Sequence, residues 1–442
     1  MESTMTTTST PSTTTTAPDY LPGLDDAAFT RATTANEPSL LKAKREEAFA
    51  AYVRTPAPTG RDEEWRRTDP ALFSFGDFTP LPMLVSDPNH AAGILDSEFD
   101  VTVRVTDTSF SIGRRNPNSN VVVLPLAEAA VSHAEVLKKY LQGPALPDQP
   151  RKFTALVDAF WNFGLLILAP RGAQIEHGVL VRYDIASPNK TILPRILIIA
   201  EDGSSLRVAE YYQSRSNAAV MSVSSREMYV GENATLKIAA LQEWSDDSLH
   251  IGEDWSRVER DGKIDWVTLA LGSKVSKQMC CCDVRAPNAN AFMSGLYFAS
   301  GEQHIDQRTL QKHSSHHTYS NLLYKGAVKD NAHSVYQGII AAGRGAIKVD
   351  AYQINKNLVL TPGARADSLP GLEIDADDLK CSHGSTVGTL DPEQLFYLMS
   401  RGLSRAEARQ MLVNAFFEEV TAKVPWGFMQ ERIRHHVAEK MG

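Results

Sequence analysis

The architecture is written most plainly in the stretch IKVDAYQINKNLVL, residues 347–360. Ile347, Val349 and Ala351 alternate with Lys348 and Asp350, the period-two pattern of a half-buried strand. Gln353, Asn355 and Asn357 continue the same period. Side-chain amides so spaced can stack as ladders between successive coils of a β-helix. On the N-terminal side of this stretch the texture persists. Val179, Val181 and Tyr183 alternate with Leu180 and Arg182, and Ala234, Leu236 and Ile238 with Thr235 and Lys237. From Gly164 to about Leu390 helical periodicity is scarce, and Gly, Asn and Asp turns separate the alternating runs. Roughly 200 residues of strand without intervening helices argue against a βαβ sheet. A sandwich, a large barrel or a β-helix remains, and the amide run favours the β-helix. Glycines at 231, 272, 295, 326 and 345 keep no fixed interval, so the solenoid must be irregular.

The flanks read differently. Residues 38–54 predict a helix with Pro38 in its first turn and Leu41, Ala48 and Tyr52 on one face. The region that follows Pro70 carries no assignable pattern. A second helical stretch spans about 126–142. Arg151–Phe163 places Phe153, Leu156, Val157, Phe160 and Trp161 on one stripe, with Gly164 as the expected C-terminal stop. Beyond the strands, Asp391-Pro392 with Gln394 and Ser404 with Glu407 are helix starts. Ala408, Met411, Leu412, Ala415, Phe416 and Val420 form an expected apolar face, and Trp426–Met441 a further helix. The organisation so read is a Thr/Ser-rich disordered tail (1–22), an N-terminal helical and mixed region (23–163), a β-helix core (164–390) and a C-terminal helical domain (391–442). The fold class is mainly β, with helical regions at both ends.

Composition narrows the function. The 442 residues carry 45 basic and 53 acidic side chains, a net charge of −8. Nucleic acid is thereby disfavoured as the main partner, since phosphate binding calls for a basic face. No apolar run approaches the roughly 20 residues of a spanning helix. The segment from Met1 to Tyr20 holds nine threonines and three serines but no basic n-region or apolar h-region, so it does not read as a signal peptide. Four cysteines, three of them consecutive, do not make a secreted disulfide framework. The expected location is the cytoplasm, with the plastid stroma as the alternative.

The motifs of ATP hydrolysis, zinc proteolysis, serine hydrolysis and dinucleotide binding are absent. Two clusters could carry chemistry. In Lys380-Cys381-Ser382-His383-Gly384, a strand would set Cys381 and His383 side by side with Ser382 facing away. A thiolate and an imidazole suit zinc, iron or an iron–sulfur cluster, but two ligands leave the site incomplete. A buried thiol beside a hydrogen-bonded histidine is the plainer alternative. The second cluster holds Gln303, His304, Asp306, His313, His316 and His317, which read as a metal site or as a polar loop and strand face. In the triplet Cys280–Cys282, Cys280 and Cys282 would share a face, either binding a soft metal or filling a tight coil.

The segment LEIDADDLKCSHGSTVGTLDPEQLFYLMSRGL, residues 372–403, resembles the C-terminal signature of SufD-type chains in the SufB/SufD family of the SUF iron–sulfur cluster assembly system. HIDQRTLQKH, YKGAVKDNAHSVYQGII and YQINKNLVL are similar to that family in order and spacing, and EEWRRTDP at 63–70 resembles its N-terminal motif. The resemblance implies a right-handed parallel β-helix between helical regions. It implies a subunit that does not itself hydrolyse ATP. Such a subunit pairs with SufB through the β-helix and docks a SufC ATPase through helices 391–442. Self-pairing in isolation is a further expectation. A transient cluster or iron would sit at the interface, with His383 and, less directly, Cys381 contributing; a neutral His383 would offer a nitrogen lone pair to iron. No tightly bound cofactor is expected in the isolated chain. The competing readings are a β-helix carbohydrate-active enzyme and a stand-alone metalloenzyme using the His304–His317 cluster. The former calls for paired acids in an aromatic groove, for which Asp375, Asp377 and Asp378 are the nearest candidates.

Overall fold

The computed structural model describes residues 19–33, 36–89, 96–141, 151–215 and 218–442. Most of the Thr/Ser-rich tail lies outside these residues. Asp19–Pro22 lie within them, and the Leu21 amide donates to the Tyr52 hydroxyl at 2.7 Å.

Strands from Phe163–Ala169 to Lys380–Gly388 alternate between two long sheets, except that Lys190–Ile192 and Pro194–Ala200 follow each other in one of them. Within each sheet neighbouring coils pair in parallel, as in Thr235–Glu243 with Lys263–Ala270 and Val275–Val284 with His304–His313. The result is a parallel β-solenoid of about 8 turns. Its coil length varies. Val258 pairs with Val284, whereas Ala342 pairs with Ile374, a distinctly longer step along the chain. This drift hides the repeat from any search for a fixed period.

Corners rather than hairpins join the strands. Asp202-Gly203 and Asp261-Gly262, dipeptides suited to two-residue hairpin turns, here turn the chain from one sheet to the other, with Gly203 and Asp261 at positive φ. Ile347–Val349 belong to such a corner: Lys348 has φ 58°, Ile347 is exposed, and the strand starts only at Asp350.

Period two splits every strand into a face toward the solenoid interior and a face away from it. In the early coils the inward residues are apolar: Leu165, Val179, Ile196, Val208 and Ile238 join one core cluster. Later coils turn polar inside. Gln353, Asn355 and Asn357 are buried and point inward, but they do not form the expected ladder. The next coils place Leu322, Tyr324 and Gly326 on one side of them and His383, Ser385 and Val387 on the other. Asn357 Nδ2 instead donates to Asn355 Oδ1 (2.6 Å), and the Tyr297 hydroxyl donates to Asn357 Oδ1 (2.6 Å). Gly326 makes room for Tyr297, since a Cβ there would collide with the ring.

The first coil is capped. Val101–Val105 extends one sheet and is followed by antiparallel Ser109–Arg114; Val122–Pro125 pairs antiparallel with Phe163–Ala169 and extends the other. These strands fall where the sequence showed no pattern. The 126–142 stretch is two helices, Leu126–Ser132 and Ala134–Tyr140. The stripe helix is shorter than expected, Lys152–Phe160, with Trp161 as its C-cap. Gly164 is therefore no helix stop but the second residue of the first solenoid strand, where a Cβ would come within 2.9 Å of Leu126 and Trp161.

The N-terminal helices cover the outer face of one sheet, and the C-terminal helices cover the other through Val413, Phe417, Val420, Met429, Ile433 and Val437. The capping box of Ser404 and Glu407 starts Arg405–Thr421. Asp391 caps Pro392–Ser400 by accepting from the Glu393 amide rather than by pairing with Gln394. The buried stripe of Arg405–Thr421 is Ala408, Val413, Phe417 and Val420; Met411 of the expected face is 48 % exposed. The helix carries apolar residues on more than one side, which blurs a single-stripe reading.

Candidate functional site: the open end of the solenoid

The last two strands, Arg365–Ile374 and Lys380–Gly388, each pair along one edge only among the described residues. No described strand caps them. Their inward positions continue the interior rows: Cys381 follows Ala351, His383 follows Gln353, Ser385 follows Asn355 and Val387 follows Asn357. From the opposite sheet come Ser368, Leu372 and Ile374. Residues that an interior coil would bury are here open. Leu372 is 40 %, Ile374 37 % and Val387 50 % exposed.

Cys381 and His383 thus lie on the same side of one strand, toward the interior axis at its open end. Cys381 is half-buried against Ile340, Ala342, Val349 and Ala351, and His383 is exposed. Burial, reinforced by Asp350, pushes the Cys381 thiol above its usual range. It is therefore protonated near neutrality, and a metal bound there would displace that proton. Hydrogen bonds tie this end to the interior: Ser385 Oγ contacts Ser368 Oγ (2.7 Å), which donates to Asn355 Oδ1 (2.6 Å).

The other sequence candidates do not converge. His304 faces outward, 2.9 Å from Thr68 Oγ1, and burial with His333 nearby pushes it down to about 4. His313 faces inward between Thr318 (2.7 Å) and Ser320 (2.8 Å), and burial pushes it too to about 4. His316 and His317 sit at an exposed corner. Among the described residues no group of three or more His, Cys, Asp or Glu side chains is placed to hold a metal ion. Cys280 and Cys282 share the inward face and are fully buried, with thiols raised to about 12 by burial; Cys281 faces outward beside Trp255 and Met279. Asp375, Asp377 and Asp378 lie exposed at the corner before the last strand, and Asp378 pairs with Lys348 at 2.6 Å.

The EEWRRTDP segment anchors the N-terminal region. Trp65 is buried under the Lys277 ammonium (4.7 Å), which also donates to the Glu64 carbonyl. Thr68 donates to Asp306 (2.6 Å). Burial would raise the Asp306 carboxyl, but Lys277 and Arg308 outweigh it and hold it below its ordinary range.

Sequence reasoning missed the charges inside and beneath the solenoid. Arg226 points inward between Glu210 (2.9 Å) and Asp254 (3.4 Å). Arg195 lies under the helix Lys152–Phe160 between Asp158 (2.7 Å) and Glu227 (2.6 Å). Arg226 occupies an inward position of its alternating strand, which is the signal that could have found it.

Fold and site together define a two-sheet β-solenoid whose last coil, capped by no described strand, bears a thiol and an imidazole. Comparison with known proteins places that architecture. Residues 183–416 match the family described as the SufBD core domain of SUF-system FeS cluster assembly. The chain is 29% identical over 409 residues to the iron–sulfur cluster assembly protein SufD of Bacillus subtilis, covering 88% of this chain and 91% of that protein. It is 37% identical over 215 residues to a SufBD family protein of Mycobacterium bovis and 36% identical over 215 residues to one of Mycobacterium leprae. Those two matches cover 47% of this chain, and the matched part spans about half of each relative, 54% and 55%. The chain belongs to the SufBD family of SUF-system iron–sulfur cluster assembly proteins, and it is SufD-like.

No helix among the described residues is long and apolar enough to cross a membrane.

Proposed function

We propose that this chain is a non-hydrolytic scaffold subunit of an iron–sulfur cluster assembly complex, completed at its open coil by a SufB-type subunit. The observation that carries the reading is the uncapped last coil with half-exposed Leu372, Ile374 and Val387 at inward positions. A solenoid end of that kind requires a cover, and unpaired strand edges are templates for a second chain. His383 and Cys381 are ligands presented at that interface to iron or a nascent cluster, which is cargo rather than a resident cofactor. Two ligands from this chain leave the remainder to the partner.

A SufC-type ATPase docks on the C-terminal helices. Helix Pro392–Ser400 has no buried residue, and Phe396 (73 %), Tyr397 (56 %) and Met399 (40 %) are exposed there, as is Met411 (48 %) on the next helix. The proposed location is the cytoplasm. The test is co-expression with SufB- and SufC-type partners. Pull-down of both, with cluster maturation lost in His383→Ala, is expected. Wild-type maturation in that variant rejects the ligand role, and failure to capture either partner rejects the scaffold reading.

A further inference from the structure

Away from the open end, a cavity of about 500 Å³ lies between the outer face of the second sheet and the turn joining the last two helices. That size lies within the ordinary range for small-molecule sites, about 300–1,000 Å³. Its lining includes Arg207, Lys237, Asp265, Phe292, Ser294 and Lys423. The first four stand in one outward row, because Arg207 pairs with Lys237, Lys237 with Asp265 and Asp265 with Phe292 across four consecutive strands.

The charge balance is unusual for a chain of net charge −8. Three cations face one carboxylate, and Lys263 already approaches that carboxylate, Asp265, at 3.3 Å; Lys237 is 3.9 Å from it. Arg207 has no carboxylate partner among the described residues. Lys423 hydrogen-bonds the neutral Ser294 hydroxyl, at 3.3 Å. The nearby Glu419 is paired with Lys325 at 2.8 Å and interacts with Lys423 only at longer range. The cavity is thus a cationic recess with unused donors, and Arg and Lys together suit a phosphate-bearing anion. It also holds a half-buried aromatic ring: Phe292 is covered by Lys263 at 4.7 Å and lies beside Tyr319. A ring at the end of a cationic row suits an anion that carries its own planar group.

We propose that this cavity binds a small aromatic phosphate of the nucleotide class, with its phosphates on Arg207, Lys237 and Lys423 and its ring against Phe292. Occupancy would tie the turn between the last two helices to the sheet beneath it and raise the thermal midpoint by mass action.

The test uses the full-length chain alone, so it needs neither partner nor cluster and stands or falls apart from the scaffold reading. ADP, inorganic pyrophosphate and adenosine are titrated calorimetrically. ADP should bind one per chain, weaken with added salt, and bind at least about tenfold more tightly than either fragment. The double charge reversal Arg207→Glu/Lys237→Glu should lower ADP affinity at least about tenfold. Lys423→Glu, on the exposed turn, should also weaken it and serves if the double variant misfolds. Phe292→Ala should weaken ADP while leaving pyrophosphate unchanged. No ADP binding at millimolar concentration, or undiminished binding in folded charge-reversed variants, overturns the site. Pyrophosphate binding as tightly as ADP overturns the nucleotide assignment.

Discussion

The two ends of the solenoid are built on opposite rules. At the first coil every residue of Phe163–Ala169 is buried, further strands extend both sheets, one of them parallel and then antiparallel and the other antiparallel, and helices seal the outer face. At the last coil the same alternation continues, but Leu372, Ile374 and Val387 stand half-open, and Cys381 and His383 face the interior axis at the open end. Local strand formation is satisfied at both ends, yet only the first is complete as a folding unit. On the proposed reading, the last coil is where a second chain would complete the unit.

Placing the same charge at each end challenges this contrast most directly. Leu165→Asp buries an unpaired carboxylate in the capped coil and should cost about 4 kcal/mol or more, enough to unfold a marginal domain. Val387→Asp should change stability by about 0.5 kcal/mol or less, because water already reaches the position. Chemical denaturation of the two variants measures both. Equal losses would mean that the last coil is as buried in the isolated chain as the first.

A second test probes the seal at the capped end. Arg195→Met leaves Asp158 and Glu227 facing each other under the helix Lys152–Phe160. Burial already pushes Asp158 up to about 6 despite the arginine. Removing the cation should cost about 3–5 kcal/mol, the usual penalty for an orphaned buried charge. The loss should shrink in acid, where protonation neutralises the carboxyls, and thermal melts between pH 5 and 8 would show it.

The third test asks where acid opens the molecule. His250, His304 and His313 are each pushed down to about 4, burial being the largest cause. Each is neutral when folded, whereas the unfolded chain takes up a proton near the ordinary histidine value of about 6.5. Stability is therefore lost as pH falls from about 6.5 toward 4, by about 2–3 kcal/mol per histidine. Asp254, pushed up to about 7, works against this, since its protonated folded form favours lower pH between about 4 and 7. Asp158, pushed up to about 6, acts in the same direction as Asp254, but the three histidines outweigh the two carboxyls, so the midpoint should fall across that window. Hydrogen exchange at pH 5 should show the loss of protection in the middle coils that hold these histidines rather than spreading inward from the open end.

The sequence carried the strand alternation, the amide run and the Cys381/His383 pair because each is a local, period-two signal. It did not carry the capping strands, since Val101–Val105 and Val122–Pro125 are short and their partners lie far along the chain. Nor did it carry the register. Coil lengths that drift from one turn to the next erase any repeat, and without register one cannot see that His383 continues the row of Gln353. The histidine cluster misled for the same reason. His304 and His313 are nine positions apart, an odd spacing that puts them on opposite faces once the segment is one continuous strand. The family resemblance supplied what periodicity lacked, because the KCSHG motif marks an end of the fold rather than a repeat within it.

The smallest expected effect on the isolated chain is the most informative about the open end. His383→Ala removes an exposed side chain with no side-chain hydrogen bond to another described residue, so the thermal midpoint should move by about 1 °C or less. Cys381→Ser should do slightly more, since Cys381 packs against Ile340, Ala342 and Val349. If both residues serve the fold, both variants should lose stability and pairing together. If they serve the interface, stability should hold while iron or cluster retention in the co-expressed complex falls. The double variant should then lose no more than the worse single one, because ligands of one site act as a unit. Additive losses of cluster content with unchanged stability would place the two residues in separate sites and divide the open end into two functions.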